Sequence, residues 1–537
     1  MGSVSVSRSG ICACVLCAIA WGAACKDEFP NAPPAALSID AARWHDTVAV
    51  SDVDTIQIRV TLVGGGDVTG VQVHWESTDP ARLAVTPLEP LVGQEQDSLM
   101  LQLQTVITAY ARDSAVFVRA IVDRPGFERM VFARQITVME RWVAVSAGYT
   151  HSCGVTIEGD AFCWGSGLIG NGSTAGSVIP VPVLGQLTFN SIAAGDAHTC
   201  GTVIDGRAYC WGTNLLGQIG NGLPDDQLTP VPVSLGRTFQ TPAAGTLITP
   251  PSINAAKGYV CGVTTDSTGF CWGDNISWQL GDAGLVGPRP IPSFDNCGLI
   301  NPHICSRRPR PIQGRNLDTL VLLSIGPGAQ HTCAVLASRD ALCWGNGSLP
   351  LGTDTALITD TTSPRPTVAI RGGLKFASIT AGLAHTCGIT YPQRQAYCWG
   401  FNTRGQLGRP GTDSSTPVQV SSPPSGYVVI DAGEQSTCGI ATDSMAYCWG
   451  SNEFAQLGTT QVIATCGGVS CSAIPVKLQL PGNPRIISVS VGRRHGCAVT
   501  LQGAAYCWGE AADGKLGTAS LAGVAGSVNP VRVSEPR

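Results

Sequence analysis

Charge is scarce in this chain. Asp, Glu, Lys and Arg make up 13% of its 537 residues, about half of the usual quarter. The balance is −5 with a pI near 5.9, and only Arg307–Arg310 (RRPR) and Arg493–His495 (RRH) are locally basic. A surface for DNA or RNA needs a broad basic patch, so no nucleic-acid partner is expected. Long apolar runs are missing as well: beyond Ala24 no segment approaches the ~18 residues of a membrane-crossing helix. From residue 141 onward nothing sustains a helical period over about ten residues, which leaves strands and turns. Catalytic signatures are also lacking. No Ser-His-Asp set, Walker loop, His-Glu-x-x-His or Gly-x-Ser-x-Gly stands out, and the loop carboxylates Asp225, Asp226 and Asp282 have no partners along the sequence.

Cysteine, by contrast, is abundant at 22 residues. The stretch "HTCGITYPQRQAYCWG" from His385 is one of seven related copies, whose first cysteines are Cys153, Cys200, Cys261, Cys333, Cys387, Cys438 and Cys497. They recur about every 57 residues, just above the usual range of propeller and solenoid repeats. The second cysteines are Cys163, Cys210, Cys271, Cys343, Cys398, Cys448 and Cys507. Pairing the two centres a hairpin on Ile157-Glu158-Gly159 in the first copy and on Ile204-Asp205-Gly206 in the second. A three-residue loop ending in Gly suits a type I turn with a G1 bulge. Directly opposed strand residues lie about 4.5–5.5 Å apart, so each pair is expected to be a cross-strand disulfide. Cys297 with Cys305, and Cys466 with Cys471, are expected to pair inside inter-repeat segments.

Metal is the rival reading, because His precedes most of the first cysteines at a fixed distance. No repeat cysteine pair has C-x2-C spacing, and Tyr259 and Ser436 replace the His in two copies. The His is expected to be a strand-end hydrogen-bonding residue. Neither metal nor cofactor is expected.

The remaining cysteines, Cys12, Cys14, Cys17 and Cys25, lie near the N-terminus. "ICACVLCAIAWGAA" (Ile11–Ala24) is a 14-residue apolar core suited to a signal peptide over residues 1–24. Small residues directly before Cys25 resemble a bacterial lipoprotein signal, which implies lipid attachment at Cys25; simple secretion remains open. Lys26 after that cysteine is similar to outer-membrane routing. Residues 25–36 are Pro- and Ala-rich and read as a tether. Over residues 37–140, alternating segments such as "TIQIRVTLV" and "AVFVRAIV" read as a β-sandwich. "VHWESTDPARLAVT" (Val73–Thr86) resembles bacterial immunoglobulin-like domains.

The copies in residues 141–537 resemble repeats of the regulator of chromosome condensation family. The Ala-Gly pair before the His, the Tyr-x-Trp-Gly core and "NTRGQLG" (Asn402–Gly408) carry the resemblance. It implies an all-β fold: a seven-bladed β-propeller with one blade per repeat, here preceded by the immunoglobulin-like sandwich. Trp164, Trp211, Trp272, Trp344, Trp399, Trp449 and Trp508 would pack between blades. The resemblance also brings nucleotide exchange on a small GTPase, but an export signal and disulfides speak against it. The expected activity is non-catalytic binding of a protein or glycan by a monomer at the cell surface, with membrane contact only through the lipid. The connection carrying Arg307, Arg308 and Arg310, and the insertion "TCGGVSC", are the candidate binding loops or else tolerated insertions. An enzyme remains the alternative, a hydrolase or lyase with carboxylates or His gathered at the central opening from one residue per blade.

Overall fold

The structure is a computed structural model. It describes residues 141–240, 253–281, 295–297, 304–313, 320–346, 352, 368–421, 426–461, 464–521 and 523–536, and before residue 141 only strands. The expected signal peptide, Cys25 and the tether lie outside the described residues, apart from Val4–Ser5 and Ala36. Two compact units divide the chain, Met1–Arg141 and Trp142–Arg537.

In the first unit one sheet runs in the order Ala36–Arg43, Val53–Val63, Ser98–Ala109 and Leu83–Pro87, with Val4–Ser5 at its edge and Leu91–Glu95 also on Ser98–Ala109. A second sheet orders Thr47–Ala49, Met130–Met139, Asp113–Asp123 and Gln72–Ser77. Trp75 lies opposite Ala120, and both are buried with Val118 and Val122. This is the alternation the sequence displays.

The second unit is a ring of seven antiparallel sheets, each one blade. Blade 1 comprises Trp142–Ala147, His151–Thr156, Ala161–Gly165 and Ser177–Pro182. The pattern repeats from Phe189 (blade 2), Ile253 (3), Leu322 (4), Phe376 (5), Tyr427 (6) and Ile486 (7). Blades 3 and 6 gain a short fifth strand, Asp295–Asn296 and Ala464–Cys466. Every blade uses consecutive strands, so no strand from one end of the unit completes a blade at the other.

Each hairpin forms as its spacing predicts. Cys153 lies opposite Cys163 and bonds to it, and the same register joins Cys200–Cys210, Cys261–Cys271, Cys333–Cys343, Cys387–Cys398, Cys438–Cys448 and Cys497–Cys507. Their Cα atoms stand 4.1 Å apart, closer than the expected ~4.5–5.5 Å of opposed residues. Cys297–Cys305 and Cys466–Cys471 are also bonded, and each ties a fifth strand to its neighbour. In the turn of blade 1, Gly159 adopts φ +86° and its N–H donates to Thr156 O at 3.0 Å. Ser267, Arg339 and Ser444 hold the same left-handed position in blades 3, 4 and 6, so the turn is imposed by the strands even where Gly is absent.

Blades join through three layers. Between them pack the Trp residues, all buried, as where Trp272 meets Ile219, Phe239 and Ile253. Several indoles also donate Nε1–H to the preceding blade: Trp164 to Lys515 O (2.9 Å), Trp272 to Gln218 O (2.9 Å) and Trp449 to Gln406 O (3.0 Å). The "NTRGQLG" segment is the turn that offers this carbonyl. Asn402 Oδ1 accepts the Leu407 N–H and Gln406 Oε1 the Arg404 N–H, which fixes its shape.

The His residues form the second layer. His151 Nε2 lies 2.6 Å from Thr199 Oγ1 of the next blade, His331 2.9 Å from Thr386, His385 2.9 Å from Thr437 and His495 2.7 Å from Ser152. Where the next copy keeps a hydroxyl residue the His thus bonds it, and blade 7 bonds blade 1 in the same way; after His198 the next copy has Val260, and neither ring nitrogen of His198 has a partner among the described residues. Burial lowers the pKa of His151 and His331 to about 4 and of His198 and His385 to about 3, so the rings are neutral.

The third layer surrounds the axis. A methyl group on Gly148 would overlap Gly195 O, one on Gly433 would overlap Gly492 O, and one on Gly492 would overlap Gly148 O. The Ala-Gly pair is therefore a close-approach position. Backbone bonds cross there, from Tyr149 N–H to Gly195 O (3.1 Å) and from Arg493 N–H to Gly148 O (3.3 Å).

Candidate functional site

The first strands of all the blades line an axial channel of about 700 Å³. Its wall alternates apolar side chains with a few polar ones, several of which are committed between blades. Ser146 Oγ accepts the Ala194 N–H (2.8 Å), Thr380 Oγ1 the Ala432 N–H (3.2 Å) and Ser490 Oγ the Ala147 N–H (3.1 Å), while Asn254 Nδ2 donates to Ile325 O (3.0 Å). Asp431 occupies the same position in blade 6, and its Oδ2 accepts the Val491 N–H at 2.8 Å. Burial raises its pKa, opposed by hydrogen bonds from Val491, Ser490, Ala432 and Thr380. The wall is a structural belt that includes one buried carboxyl.

One mouth is different. The residue directly after each axial Gly (Ala256 in blade 3) points there: Tyr149, Asp196, Lys257, Ala329, Leu383, Glu434 and Arg493. Arg493 stacks on Tyr149, 3.9 Å from the ring centroid. Its Nε lies 2.6 Å from Glu434 Oε2, an ion pair without hydrogen-bond alignment. Burial raises the pKa of Glu434, and Lys257 and Arg494 oppose the rise. Asp196 is pushed up to about 6 by burial, with Lys257 opposing and Glu434 adding to it. No hydrogen bond or ion pair reaches the Lys257 ammonium among the described residues. Beside this mouth Lys515 is buried, 2.7 Å from Glu510 Oε2, and Glu510 also meets Arg494 at 3.1 Å.

Sequence reading missed these residues. The signal was available, because the position after the recurring axial Gly (Ala256 in the third copy) varies from copy to copy. The mouth carries the carboxylates that the enzyme alternative requires, so the channel is not lined by Gly, Ser and apolar groups alone.

The residues singled out from sequence lie elsewhere. Arg307, Arg308 and Arg310 sit in Ile304–Pro311, the fourth strand of blade 3, rather than in a free loop. Arg307 is held by Asp295 through N–H to Oδ2 (2.9 Å) and an ion pair at 3.5 Å, and Arg310 Nε donates to Ser306 Oγ at 3.2 Å. Arg308 is exposed. Asp226 Oδ1 accepts the Asn214 N–H at 2.7 Å and so shapes a turn, Asp225 is exposed at its surface, and Asp282 lies outside the described residues. Among the described residues no group of three or more His, Cys, Asp or Glu is placed to hold a metal ion.

A second cavity, of about 710 Å³, opens on the same face and shares Asp196, Lys257, Ala329 and Leu383 with the mouth. It runs beside the blade 2 turn that contains Leu215 and Asp226.

Two models of the regulator of chromosome condensation (RCC1) repeat match the chain, one at residues 205–249, 395–440 and 443–499 and the other at 142–170, 189–218, 376–406 and 486–514. The Arabidopsis thaliana Ultraviolet-B receptor UVR8 is 27% identical over 291 residues, 50% of this chain and 58% of that protein. The Homo sapiens probable E3 ubiquitin-protein ligase HERC4 is 28% identical over 229 residues, 41% of this chain and 20% of that protein. The chain thus spans little more than half of the first relative and a fifth of the second. Among solved structures, Prp20p from Saccharomyces cerevisiae aligns with a TM-score of 0.56 at 20% identity, covering 74% of this chain and 88% of that one. Yeast RCC1 (Prp20) bound to Kap60 gives 0.55 at 20% identity over 70% and 84%. At that identity the likeness is one of fold. The chain carries RCC1 repeats, and they build a seven-bladed β-propeller.

Proposed function

We propose that this protein is an exported, non-catalytic binding scaffold. Residues 1–24 direct export and Cys25 carries the lipid. Residues 25–36 are a tether, and residues 37–140 are an immunoglobulin-like spacer that holds a monomeric propeller away from an outer membrane. The observation that carries the reading is the oxidised state of the ring, one disulfide per blade and two more at the added strands. Such bonds persist in oxidising compartments. A protein partner is favoured over a glycan by precedent, since yeast RCC1 was solved bound to Kap60 and Prp20p was studied for binding to Gsp1p and histones. The test is the N-terminal peptide of protein purified from its own cell envelope. A diacylglyceryl mass on Cys25 is expected, and an uncleaved Met1 in a soluble fraction would overturn export.

The second reading is an enzyme at the axial mouth. Asp196 favours it, as a carboxyl raised to about 6 beside Lys257 and Glu434, the kind of tuned group that acid–base chemistry uses. Screening ester, glycoside and peptide substrates against wild type and Asp196→Asn decides it. Turnover that the substitution abolishes would replace the scaffold reading.

A further inference from the structure

The repetition of the ring supplies an internal control for each surface position. In the turn after the third strand, Asn214, Asn275, Asn402 and Asn452 each accept the amide N–H of the residue five places on, at 3.0 Å. The backbone is the same in these four blades. The residue after that Asn is Thr403 in blade 5 and Glu453 in blade 6, as a solvent-facing turn permits. In blades 2 and 3 it is Leu215 and Ile276, which are 63% and 56% exposed. Leu223, in the same blade 2 loop, is 54% exposed. The fold does not require aliphatic side chains there, because blades 5 and 6 build the same turn without them. Leu215 and Leu223 share one loop and Ile276 takes the equivalent place in the next blade, and exposed aliphatics that the scaffold does not need mark a surface that something covers.

The cavity of about 710 Å³ begins beside Leu215 and reaches the axial mouth. Leu216, Pro224 and Leu383 contribute its apolar lining. Its charged residues are Asp196, Asp226 and Asp274 against Lys257 alone, an acidic excess in a chain poor in charge. Asp196 has no hydrogen bond to its carboxylate among the described residues. Together these features form a trough with an acidic interior and exposed Leu215 at its edge.

We propose that this groove docks an extended segment of a protein partner that presents a Lys or Arg side chain beside an aliphatic one. The proposal rests on the binding-scaffold reading and gives its partner a chemistry. The carboxylates set the charge of the occupant. The aliphatic lining sets its size: a small amine paired with the carboxylates would leave Leu215 wet, whereas a peptide running out of the trough past the blade 2 turn covers it. Extended segments lying in grooves of this kind take specificity from alternating side-chain pockets.

The test is selection of a randomised dodecapeptide library, displayed on phage, against the full exported chain. Selected peptides are then measured on wild type, Leu215→Ser and Asp196→Asn. Leu215 is exposed and Asp196 bonds nothing through its side chain, so both variants keep the fold, which circular dichroism checks. Enrichment of Lys or Arg next to Leu, Ile or Val, with affinity falling at least about tenfold in each variant, is the expected result. Peptides of acidic or purely polar character, or peptides that bind both variants like wild type, overturn the groove while leaving the scaffold reading in place. Failure to enrich any peptide above background overturns the groove as well, and substrate turnover in the Asp196→Asn comparison would overturn both. Spermidine competing as well as the peptides do would assign the trough to a small amine and also end the proposal.

Discussion

Lowering the pH from 7 to 5 protonates histidines in the unfolded chain that the folded ring keeps neutral. His151 and His331 are held at about 4 and His198 and His385 at about 3 by burial, against 6.5 when free. A base whose folded pKa is depressed leaves the unfolded state binding more protons between the two values. Stability is therefore complete above 6.5, falls as the pH drops below it, and levels off only under the folded pKa. At pH 5 each of these four histidines costs about 2 kcal/mol by this linkage, so the four together cost about 8 kcal/mol, and His495, also pushed down by burial, acts in the same direction. Asp196 works in the opposite direction: its folded pKa of about 6 lies above its ordinary 3.8, so acid relieves about 1 kcal/mol. The net loss of about 7 kcal/mol is within the total stability of an ordinary domain. Guanidinium unfolding followed by Trp fluorescence, without reductant, at pH 7.5, 6 and 5 measures it. His331→Gln should remove about a fifth of the histidine contribution to the pH dependence. A denaturation midpoint that stays constant from pH 7.5 to 5 would refute the neutral histidine belt.

The seam between blades 7 and 1 has no shared strand, and Lys515 Nζ donates across it to Tyr149 O at 3.4 Å while pairing with Glu510 inside blade 7, so Lys515→Met should cost about 3 kcal/mol. Hydrogen exchange should rise first in the first strand of blade 1, and uniform exchange across all blades would contradict this. Gly492→Ala places a methyl group against Gly148 O and should destabilise by about 3 kcal/mol through strain, read as a lower melting temperature. Replacing Cys333 and Cys343 together by Ser removes a staple with a sequence separation of 10, a loss of about 3 kcal/mol by loop-closure entropy. Equal stability of that variant under non-reducing conditions would mean that the bond does not form.

The hairpins were legible because two cysteines and a Gly at fixed spacing specify both a register and a turn. The Trp and His positions were legible as repeats, but their partners were not. That His385 bonds Thr437 depends on neighbouring blades standing side by side, 52 residues apart in sequence. The axial mouth was hidden for the same reason. Asp196, Lys257 and Glu434 occupy the same place in different copies, and their interaction exists only once the ring closes. The setting of the arginines at 307, 308 and 310 was not legible, because a basic Pro-rich run reads as a loop, whereas Ile304–Pro311 pairs with Gly269–Asp274 as the fourth strand of its blade.

Peptide mapping of protein from its native compartment, digested without reduction, tests the self-stapled ring most directly. The account predicts peptides joining Cys153 to Cys163, Cys200 to Cys210 and so on to Cys497 and Cys507, with Cys297–Cys305 and Cys466–Cys471 beside them. Free thiols at these positions, or bonds joining one blade to the next, would contradict it.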